Sequence, residues 1–285
     1  MDIPYCEQVR VKSACVESVI HSIFPSAVIE APVTGPDLGY RSRAQFRLSK
    51  EGLCFCEEHS NNNVLLKSCP VLDEKLNHFI SDPPKLNLWE FEDGKLSCIS
   101  TDNGVVWGDG MGWITVKNRR LPVSGEVFFQ SNLILLHEMI DYIVSNVTGS
   151  EVMDLYAGVG TFSAFLEDRF TVTAVEINKK CLSLARQHLE HTRFFTSPVE
   201  RWNPKKQHVD TVIVDPPRTG LDRAVPAMIA SWQPKRIICV SCYLPTLDRD
   251  LHRFRDLGYT ATHARLFDFY PHTPHVETVV LMSRI

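Results

Sequence analysis

The sequence predicts an α/β protein, in which a mostly parallel, doubly wound sheet of the Rossmann type follows a smaller β-rich region. The main observation is that strand-like apolar runs alternate with helix-like segments from about residue 128 to residue 258. A second observation is a strand, a glycine turn and a helix-like segment in the stretch EVMDLYAGVGTFS, residues 151–163. A third is that Asp154, Glu176 and Asp215 stand at or near the ends of apolar runs, where such sheets bind ligands.

The glycine turn at 157–160 is followed by a predicted helix over 161–168, and together they indicate a ligand site. Glycine lets the backbone turn sharply, and a helix start offers unpaired N–H groups to ligand oxygens. Glu176 ends the next predicted strand, at the spacing typical of a carboxylate that binds ribose hydroxyls. A pyrophosphate site normally has a third glycine, and Ser163 stands in its place. This favours S-adenosylmethionine as the cofactor, with a dinucleotide as the alternative.

The composition is that of an ordinary globular protein, with 285 residues, 44% of them hydrophobic, and a formal net charge of −4. No apolar run is long enough to cross a membrane, and the N-terminal residues lack a signal-peptide pattern. The nine cysteines are odd in number and scattered, which disfavours a disulfide framework and predicts a cytoplasmic location. The charge excludes a chain that coats nucleic acid throughout, but it permits a local basic groove.

Two regions are predicted, an α+β region over 1–125 and a cofactor-binding domain over 126–285. The elements expected in the first are a helix, 4–23; a strand, 39–49; a hairpin, 52–63; a short helix, 71–79; and a β-rich segment, 86–123, with strands at 96–100, 104–107 and 113–116. Those expected in the second include helices, 133–147 and 246–255, and strands, 171–177, 210–214, 236–241, 264–269 and 276–282.

Basic residues cluster twice in the first region. Two-residue spacing would place Arg41, Arg43 and Arg47 on one face of the predicted strand. That face is either a solvated surface or a contact for phosphate groups. A second cluster follows the strand at 113–116 and consists of Lys117, Arg119 and Arg120.

The chemistry-bearing residues of the second region follow its predicted strands. Asp215 ends the strand 210–214 and opens the stretch Asp-Pro-Pro-Arg, in which Arg218 would pair with Asp215 or with substrate phosphate. Cys239 is expected in the core, whereas Cys242 falls just past the end of the next strand, at the ligand edge of the sheet. Position therefore makes Cys242 a candidate nucleophile, and the helix start that follows could stabilise its thiolate.

The last motif, FYPHTPHVE, combines two histidines with an acid at the start of a strand. His272 and His275 are three residues apart, but nothing around them matches a structural zinc site, so no metal site is predicted. A carboxylate placed near a nucleophile can serve as a general base, and Glu277 is the candidate.

These motifs, taken in order, resemble those of the S-adenosylmethionine-dependent RNA 5-methyluridine methyltransferases. The stretches that carry the resemblance are GYRSRAQF, Cys69-Pro70, GEVFFQSN, DLYAGVGTFS, VIVDPPRTGL, VSCYLPTLDRDL and FYPHTPHVETV. The resemblance covers most of the chain and is most specific in its C-terminal half. It implies a class I methyltransferase fold and the formation of 5-methyluridine in a loop of rRNA or tRNA.

The resemblance also implies roles for individual residues. It makes Cys242 the nucleophile that forms a covalent adduct with uracil, and Glu277 the base that later removes a proton. The implied cofactor contacts are Gln130, Tyr156, Thr161, Glu176 and Asp215. Contacts with RNA are expected from Arg41, Arg43 and Arg218.

The sequence departs from the family pattern in four places. Many relatives have an iron–sulfur site made by three N-terminal cysteines and one before a proline, but only Cys69 matches that set. Cys6 and Cys15 do not match, and the chain begins just after the other three positions, so the expectation is either that no cluster binds or that the N-terminus is truncated. Thr161 stands where relatives often have asparagine, and Tyr243-Leu244 replace residues of the common Ser-Cys-Asn-Pro motif. The β-rich insert is short, and no N-terminal β-barrel RNA-binding domain is expected.

Two other functions remain open from the sequence. An amino-methylating enzyme of nucleic acid or protein uses a similar Asp-Pro-Pro motif, but its chemistry needs no cysteine. A non-catalytic RNA-binding factor could have the same fold, since a fold alone does not establish an activity.

Overall fold

The computed structural model describes residues 3–57, 60, 62–85, 94–202, 204 and 208–285. The tip of the predicted hairpin 52–63 and the first residues of the predicted segment 86–123 therefore lie outside the described residues. The chain divides into two compact units, one formed by 1–35 with 137–285 and the other by 36–136. This division differs from the predicted regions 1–125 and 126–285, because the N-terminal helix and the first strand pack on the large sheet.

The described residues form six α-helices and fifteen strands. The helices are α1 Tyr5–Ile23, α2 Glu74–Ser81, α3 Leu133–Ser145, α4 Lys179–Ala185, α5 Val225–Ser231 and α6 Leu244–Asp256. The strands are β1 Val28–Val33, β2 Arg43–Ser49, β3 Gly52–Cys56, β4 Asn63–Leu65, β5 Lys95–Thr101, β6 Gly104–Trp107, β7 Met111–Val116, β8 Arg119–Ser124, β9 Glu151–Leu155, β10 Thr171–Glu176, β11 Arg193–Thr196, β12 Thr211–Val214, β13 Arg236–Ser241, β14 Tyr259–Phe267 and β15 Glu277–Arg284.

The first unit is built on an eight-stranded sheet with the order β1-β14-β15-β13-β12-β9-β10-β11. Strands β9 to β13 run parallel, and β15 is antiparallel to both of its neighbours, β13 and β14. The chain moves from β9 outward through β10 and β11, and then returns to place β12 on the other side of β9. The order therefore reverses between β9 and β12, and open α/β sheets bind ligands at such a switch point.

The central strands of this unit are apolar on both faces because both faces are buried. All four residues of β12 are buried, as expected for a central strand covered by helices on each side. Helix α1 buries residues spaced at helical intervals, and the apolar ones are Val16, Ile20 and Ile23. The same face also buries two polar side chains, Gln8 and Lys12. No helix in the described part of the chain combines the length and apolar character that crossing a bilayer requires.

The second unit has a five-stranded sheet with the order β4-β3-β2-β5-β6 and a separate hairpin of β7 and β8. Its core joins Phe46 and Leu96 of the sheet with Leu76 of α2. The helix begins at Glu74 because the Asp73 carboxylate accepts a hydrogen bond from the Leu76 amide, which satisfies a free N–H group at the helix start.

Most of the predicted elements are confirmed, with three corrections. The predicted helix over 161–168 is wrong, because Gly160 has a left-handed φ of 78° and the segment closes into turns around a short 3-10 helix, Ser163–Phe165. Strands β1, β8 and β11 and helices α4 and α5 were not among the elements given predicted ranges. Strand β1 lies at a sheet edge with a weak burial pattern, and β8 contains Pro122. The three-arginine strand face is also wrong, because β2 begins at Arg43 and Arg41 lies before it.

Candidate active site

The candidate site lies along one edge of the eight-stranded sheet. Tyr156 follows β9, Glu176 ends β10, Asp215 follows β12 and Cys242 follows β13. Because these strands are parallel, all four residues stand at the same edge. Strand β15 runs the opposite way, so its first residue, Glu277, stands at this edge as well. The sheet thus brings together residues that are up to 121 positions apart in the chain, from 156 to 277.

Glu176 and the glycine turn form one hydrogen-bonded unit. The Glu176 carboxylate accepts hydrogen bonds from the amide of Gly158 at 2.9 Å and from the amide of Asn178 at 2.7 Å. Gly158 has a left-handed φ of 56°, and a Cβ atom there would meet only open space within 4 Å. Tyr156 also has a left-handed φ, 62°, which costs energy for a residue with a side chain. The turn therefore presents backbone and a fixed carboxylate to an open space, which suits a ribose.

Asp154 adds a buried acid next to this turn. Its Oδ2 accepts a hydrogen bond from the Ser163 hydroxyl at 2.6 Å, and its Oδ1 has no partner among the described residues. Burial raises the pKa of Asp154 to about 6, although the bonds from Ser163 oppose the rise. Burial, followed by the charge of Asp154, raises the pKa of Asp215 as well. An unpaired carboxyl oxygen on Asp154 and two acids with raised pKa values suit a ligand that has hydroxyl groups and a positive charge.

Strand register places Cys242 opposite Glu277. Ser241 of β13 pairs with Thr278 of β15 in the antiparallel ladder, so the next step along β13 and the previous step along β15 bring Cys242 to Glu277. Glu277 is only 2% exposed, and its Oε1 has no hydrogen-bond partner in the described part of the chain. The register therefore puts the thiol residue and a buried carboxyl residue with an unpaired oxygen next to each other at the sheet edge, and the charge of Glu277 acts on the thiol.

Burial and nearby acids make both groups harder to ionise. Burial raises the pKa of Cys242 to about 11, the charges of Glu277 and Asp215 add to the rise, and Arg218 opposes it. Burial, followed by the charge of Asp215, raises the pKa of Glu277 well above its ordinary value. Without ligands, burial and the neighbouring acids therefore favour the neutral thiol and the neutral carboxyl group.

Arg218 does not form the first of its two predicted pairings, the one with Asp215. Within the described residues it forms no ion pair with Asp215, and its guanidinium lies 4.8 Å from the centre of the Tyr243 ring. Both side chains are exposed, Tyr243 follows Cys242 directly in the chain, and the Arg218 charge acts on the Cys242 thiol. The predicted pairing with Asp215 is therefore wrong, and a cation–π pair takes its place beside the thiol.

The loop that carries Asp215 and Arg218 is held by helix α6. Asp250 of α6 accepts a hydrogen bond from the amide of Leu221 at 2.7 Å, and Arg249 donates to the carbonyl oxygens of Thr219 and Leu221, each at 3.1 Å. These bonds tie the loop after β12 to the helix after β13, so the residues that follow the two strands keep a common geometry.

Replacing Gly220 with alanine is expected to lower the stability of the protein by about 2–4 kcal/mol. Gly220 has a left-handed φ of 73°, and a Cβ atom there would lie 2.6 Å from an Asp250 carboxylate oxygen and 2.4 Å from Arg249 Nη2. Urea unfolding of the two proteins measures the change. Gly258 offers a control, because its φ of 85° is similar but no atom lies within 4 Å of an added Cβ. A Gly220→Ala loss no greater than that of Gly258→Ala would contradict the packing argument.

Four of the predicted residues belong to the second unit, 36–136. Gln130 is buried, and its Oε1 has no partner among the described residues. Arg43 lies with its guanidinium 5.9 Å from the centre of the exposed Phe128 ring, and Arg41 donates from Nε to the Arg43 carbonyl oxygen at 3.0 Å. Cys69 is part-buried, and its amide donates to Asn77. Thr161, in the first unit, follows Gly160 directly in the glycine turn.

Metal ligands do not gather in the described ranges. No group of three or more His, Cys, Asp or Glu side chains there is placed to hold a metal ion. All nine cysteines are free thiols.

The sequence did not predict the residues that contact Glu277 and the loop before it. Tyr270 lies in the loop between β14 and β15, with its hydroxyl 3.5 Å from Glu277 Oε2. Lys12 of α1 contacts the same loop through Asp268 and the carbonyl oxygen of Tyr270. A lysine on the apolar stripe of α1 was the one signal in the sequence, but its partner is 256 residues away.

The order of the sheet and the acids along its edge define a class I methyltransferase. A family model for tRNA (uracil-5-)-methyltransferases matches residues 192–285, which include Asp215, Cys242 and Glu277. The chain is 31% identical over 279 residues to an RNA methyltransferase of Treponema denticola, covering 88% of this chain and 68% of the relative. The chain belongs to this family of RNA methyltransferases.

Two further comparisons agree with this assignment. A 23S rRNA (uracil(747)-C(5))-methyltransferase of Pyrococcus abyssi is 38% identical over 165 residues, covering 57% of this chain and 40% of the relative. This chain therefore spans less than half the length of that relative. The crystal structure of a Pyrococcus abyssi tRNA (uracil-54, C5)-methyltransferase with S-adenosyl-L-homocysteine has a TM-score of 0.77, with 23% identity, and covers 98% of this chain and 84% of that chain. At this identity the likeness confirms the fold.

Proposed function

We propose that this protein methylates carbon 5 of a uridine in RNA, with Cys242 as the nucleophile and Glu277 as the base. The observation that carries the proposal is the register of β13 and β15, which sets a thiol opposite a buried carboxyl group. That pair lies at the same sheet edge as the glycine turn and the three acids. An enzyme that methylates an amino group would need neither member of the pair.

The cofactor we propose is S-adenosylmethionine, which supplies an electrophilic methyl group when bound. Glu176, held by two backbone amides, would accept hydrogen bonds from the ribose hydroxyls. Tyr156, Thr161 and Asp215 stand on the turn and the loop around the same space, and Gln130 is the fifth contact that the family resemblance implies. Asp154 would add its unpaired oxygen and its charge.

Cys242 would start the reaction, because carbon 5 of uracil is a poor nucleophile by itself. The thiolate attacks carbon 6, the new C–S bond takes the sulfur electron pair, and the electrons of the C5–C6 double bond move toward carbon 5 and the carbonyl at carbon 4. Carbon 5 would then take the methyl group, and the bond from that group to the sulfonium sulfur would break with its electrons left on sulfur, giving S-adenosylhomocysteine. The neutral thiol of the unliganded site must first lose its proton, and positive charge brought by the cofactor and by Arg218 would lower the pKa that burial has raised.

Glu277 would complete the reaction as the general base. It takes the proton from carbon 5, the electrons of that C–H bond restore the C5–C6 double bond, and the C–S bond breaks with its electrons returning to Cys242. The free Oε1 oxygen of Glu277 is available for this proton. Removal of the proton and release of the thiol are therefore coupled.

The substrate we propose is a uridine in a loop of rRNA or tRNA. A base in a stack cannot reach a thiol at a sheet edge, so the uridine has to be extruded, and aromatic side chains can hold an extruded base. Arg218 lies over Tyr243 beside Cys242 and would contact a phosphate or the base. Arg41 and Arg43 would contact RNA phosphates. Nine free thiols support a reducing compartment such as the cytoplasm.

Nucleoside analysis tests this function. The protein is incubated with methyl-labelled S-adenosylmethionine and with tRNA or rRNA from cells that lack 5-methyluridine. Label in 5-methyluridine from one RNA fraction is the expected result, and it names the substrate class. Label in another nucleoside would favour an amino-methylating enzyme, and RNA binding without label would favour a non-catalytic factor.

Raising the pH is expected to increase the preference for S-adenosylmethionine over S-adenosylhomocysteine. The first ligand has a sulfonium charge that the second lacks. Burial raises the pKa of Asp154 to about 6 and also raises that of Asp215, so both acids are neutral at low pH and become negative as the pH rises through these values. The ratio of the two dissociation constants should change about tenfold between about pH 5 and pH 8, measured by calorimetry. The Asp154→Asn variant should flatten this dependence, and a constant ratio in the wild type would contradict it.

A further inference from the structure

Helix α1 places a buried lysine against the loop that leads to Glu277. Lys12 is 2% exposed, and its Nζ lies 2.6 Å from Oδ1 of Asp268, which is fully buried. The same Nζ donates a hydrogen bond to the carbonyl oxygen of Tyr270 at 2.9 Å. Asp268 in turn is attached to the sheet, because its amide donates to the carbonyl oxygen of Val33 at 2.9 Å. Lys12 thus holds both an acid and a backbone carbonyl group of the loop 268–276.

A second side chain of the same helix holds the middle of that loop. Gln8 is fully buried, and its Oε1 accepts a hydrogen bond from the amide of His272 at 2.9 Å. Its Nε2 lies 3.1 Å from His272 Nδ1. His272 has a left-handed φ of 63°, a strained backbone conformation that persists where surrounding bonds hold it. Gln8 and Lys12 are one helical turn apart, so both contact the loop from the same face of α1.

Tyr270 connects the part of the loop that is bound to helix α1 with Glu277. The Tyr270 carbonyl oxygen accepts bonds from Lys12 and from the Thr273 hydroxyl, the latter at 2.8 Å. The Tyr270 hydroxyl lies 3.5 Å from Glu277 Oε2, at the outer limit of a hydrogen bond. The ring also meets His275 edge-on, with centres 6.1 Å apart. The backbone of Tyr270 is therefore held by α1 while its hydroxyl reaches the carboxyl group.

Stability alone does not account for this arrangement. Burying a lysine and an aspartate costs solvation energy that their attraction offsets only in part, and apolar residues of similar size often serve stability equally well. A buried pair of this kind can instead select one conformation of a segment. The segment here ends in the carboxyl group that the proposed reaction needs.

We propose that Gln8, Lys12 and Asp268 are positioning residues that hold Tyr270, and through it Glu277, for the removal of the proton from carbon 5. This inference rests on the proposed function. None of the three touches the reacting atoms. They act on the step in which Glu277 takes the proton, the C5–C6 double bond returns and the C–S bond breaks toward Cys242. They leave the earlier attack by Cys242 unaffected.

The test measures the two steps separately in the full chain. Rapid quenching with labelled RNA follows the formation of the covalent protein–RNA adduct and its later disappearance. In the double variant Lys12→Met/Asp268→Asn, adduct formation should stay within about twofold of the wild type. Disappearance of the adduct should slow by about tenfold to a hundredfold, because a base held about 1 Å from its position loses rates of that order. Removing both charges together avoids leaving an unpaired buried charge that could unfold the protein.

A milder variant and a control keep the test decisive. Tyr270→Phe removes one hydroxyl, and it should slow the disappearance of the adduct by a smaller factor without changing its formation. Lys235→Met is the control, because Lys235 pairs with the buried Asp210 at 2.9 Å at the opposite edge of the same sheet. It should leave both rates unchanged.

Two results would overturn the inference while the proposed function stands. One is a rate of adduct disappearance that is the same in the double variant, in Tyr270→Phe and in the wild type. The other is an equal loss of both steps in the double variant, which would indicate a general structural role. A wild-type protein that forms neither adduct nor 5-methyluridine would instead overturn the proposed function, and this inference with it.

Discussion

Replacing Cys242 with alanine is expected to abolish methylation of RNA, lowering the rate by about 10⁴-fold or more. Without the thiol, no covalent bond to carbon 6 can form, and carbon 5 stays too weak a nucleophile to accept the methyl group. Binding of S-adenosylmethionine should be unchanged, because the proposed cofactor contacts are on other strands and loops. Nucleoside analysis with labelled cofactor measures the first effect, and calorimetry measures the second.

Cys239 supplies the control for this variant. It lies three residues earlier, on the same strand β13, and its side chain is buried in the hydrophobic core. Cys239→Ala should cost about 1 kcal/mol of stability and leave methylation near the wild-type rate. Methylation by Cys242→Ala within tenfold of the wild type would contradict the nucleophile assignment and favour an amino-methylating mechanism.

Replacing Glu277 with glutamine is expected to trap the protein on its RNA as a covalent adduct. Glutamine has nearly the shape of the protonated acid, but it cannot take the proton from carbon 5. The thiol can leave only when that proton has been removed, so the adduct should accumulate and turnover should fall by about 10²–10⁴-fold. A denaturing gel with labelled RNA shows the adduct as a band of reduced mobility.

The fold should tolerate this change. Burial and the charge of Asp215 raise the pKa of Glu277 well above its ordinary value, so the fold favours the neutral form of this side chain. A neutral amide should therefore cost little stability. Glu151→Gln, at the start of β9 and the opposite edge of the sheet, should form no lasting adduct. If Glu277→Gln turns over normally, or stops before any adduct forms, Glu277 is not the base.

Much of the site could be predicted because parallel strands translate sequence order into position. A residue just after a buried strand falls at the ligand edge whatever the details of packing. This reasoning found Glu176, Asp215 and Cys242, and the structure places all three at that edge. Tyr156 stands at the same edge, but only the family resemblance implied its role. The opposite direction of β15 was not evident from its residues, so the place of Glu277 beside the thiol rested on the family resemblance.

Other predictions failed where local preference was overruled by contacts distant in sequence. The helix expected over 161–168 is replaced by turns, and the hydroxyl of Ser163 bonds to Asp154 in the neighbouring strand. Arg218 was expected to pair with Asp215 or with substrate phosphate, and the fold brings the Tyr243 ring, not Asp215, within its reach. An arginine can satisfy its charge in several ways, and only the surroundings select one.

The sequence by itself determined the α/β class, the cofactor edge of the sheet and the family, because strand periodicity, glycine turns and short motifs are local properties. The tertiary structure decided which residues face one another. The antiparallel pairing of β15 sets Glu277 against Cys242, and helix α1 brings Lys12 to a loop 256 residues away. Burial then raises the pKa of both facing groups. No local sequence pattern predicts these contacts or these pKa shifts, because each depends on the water that folding removes and on the distant residues that folding brings together.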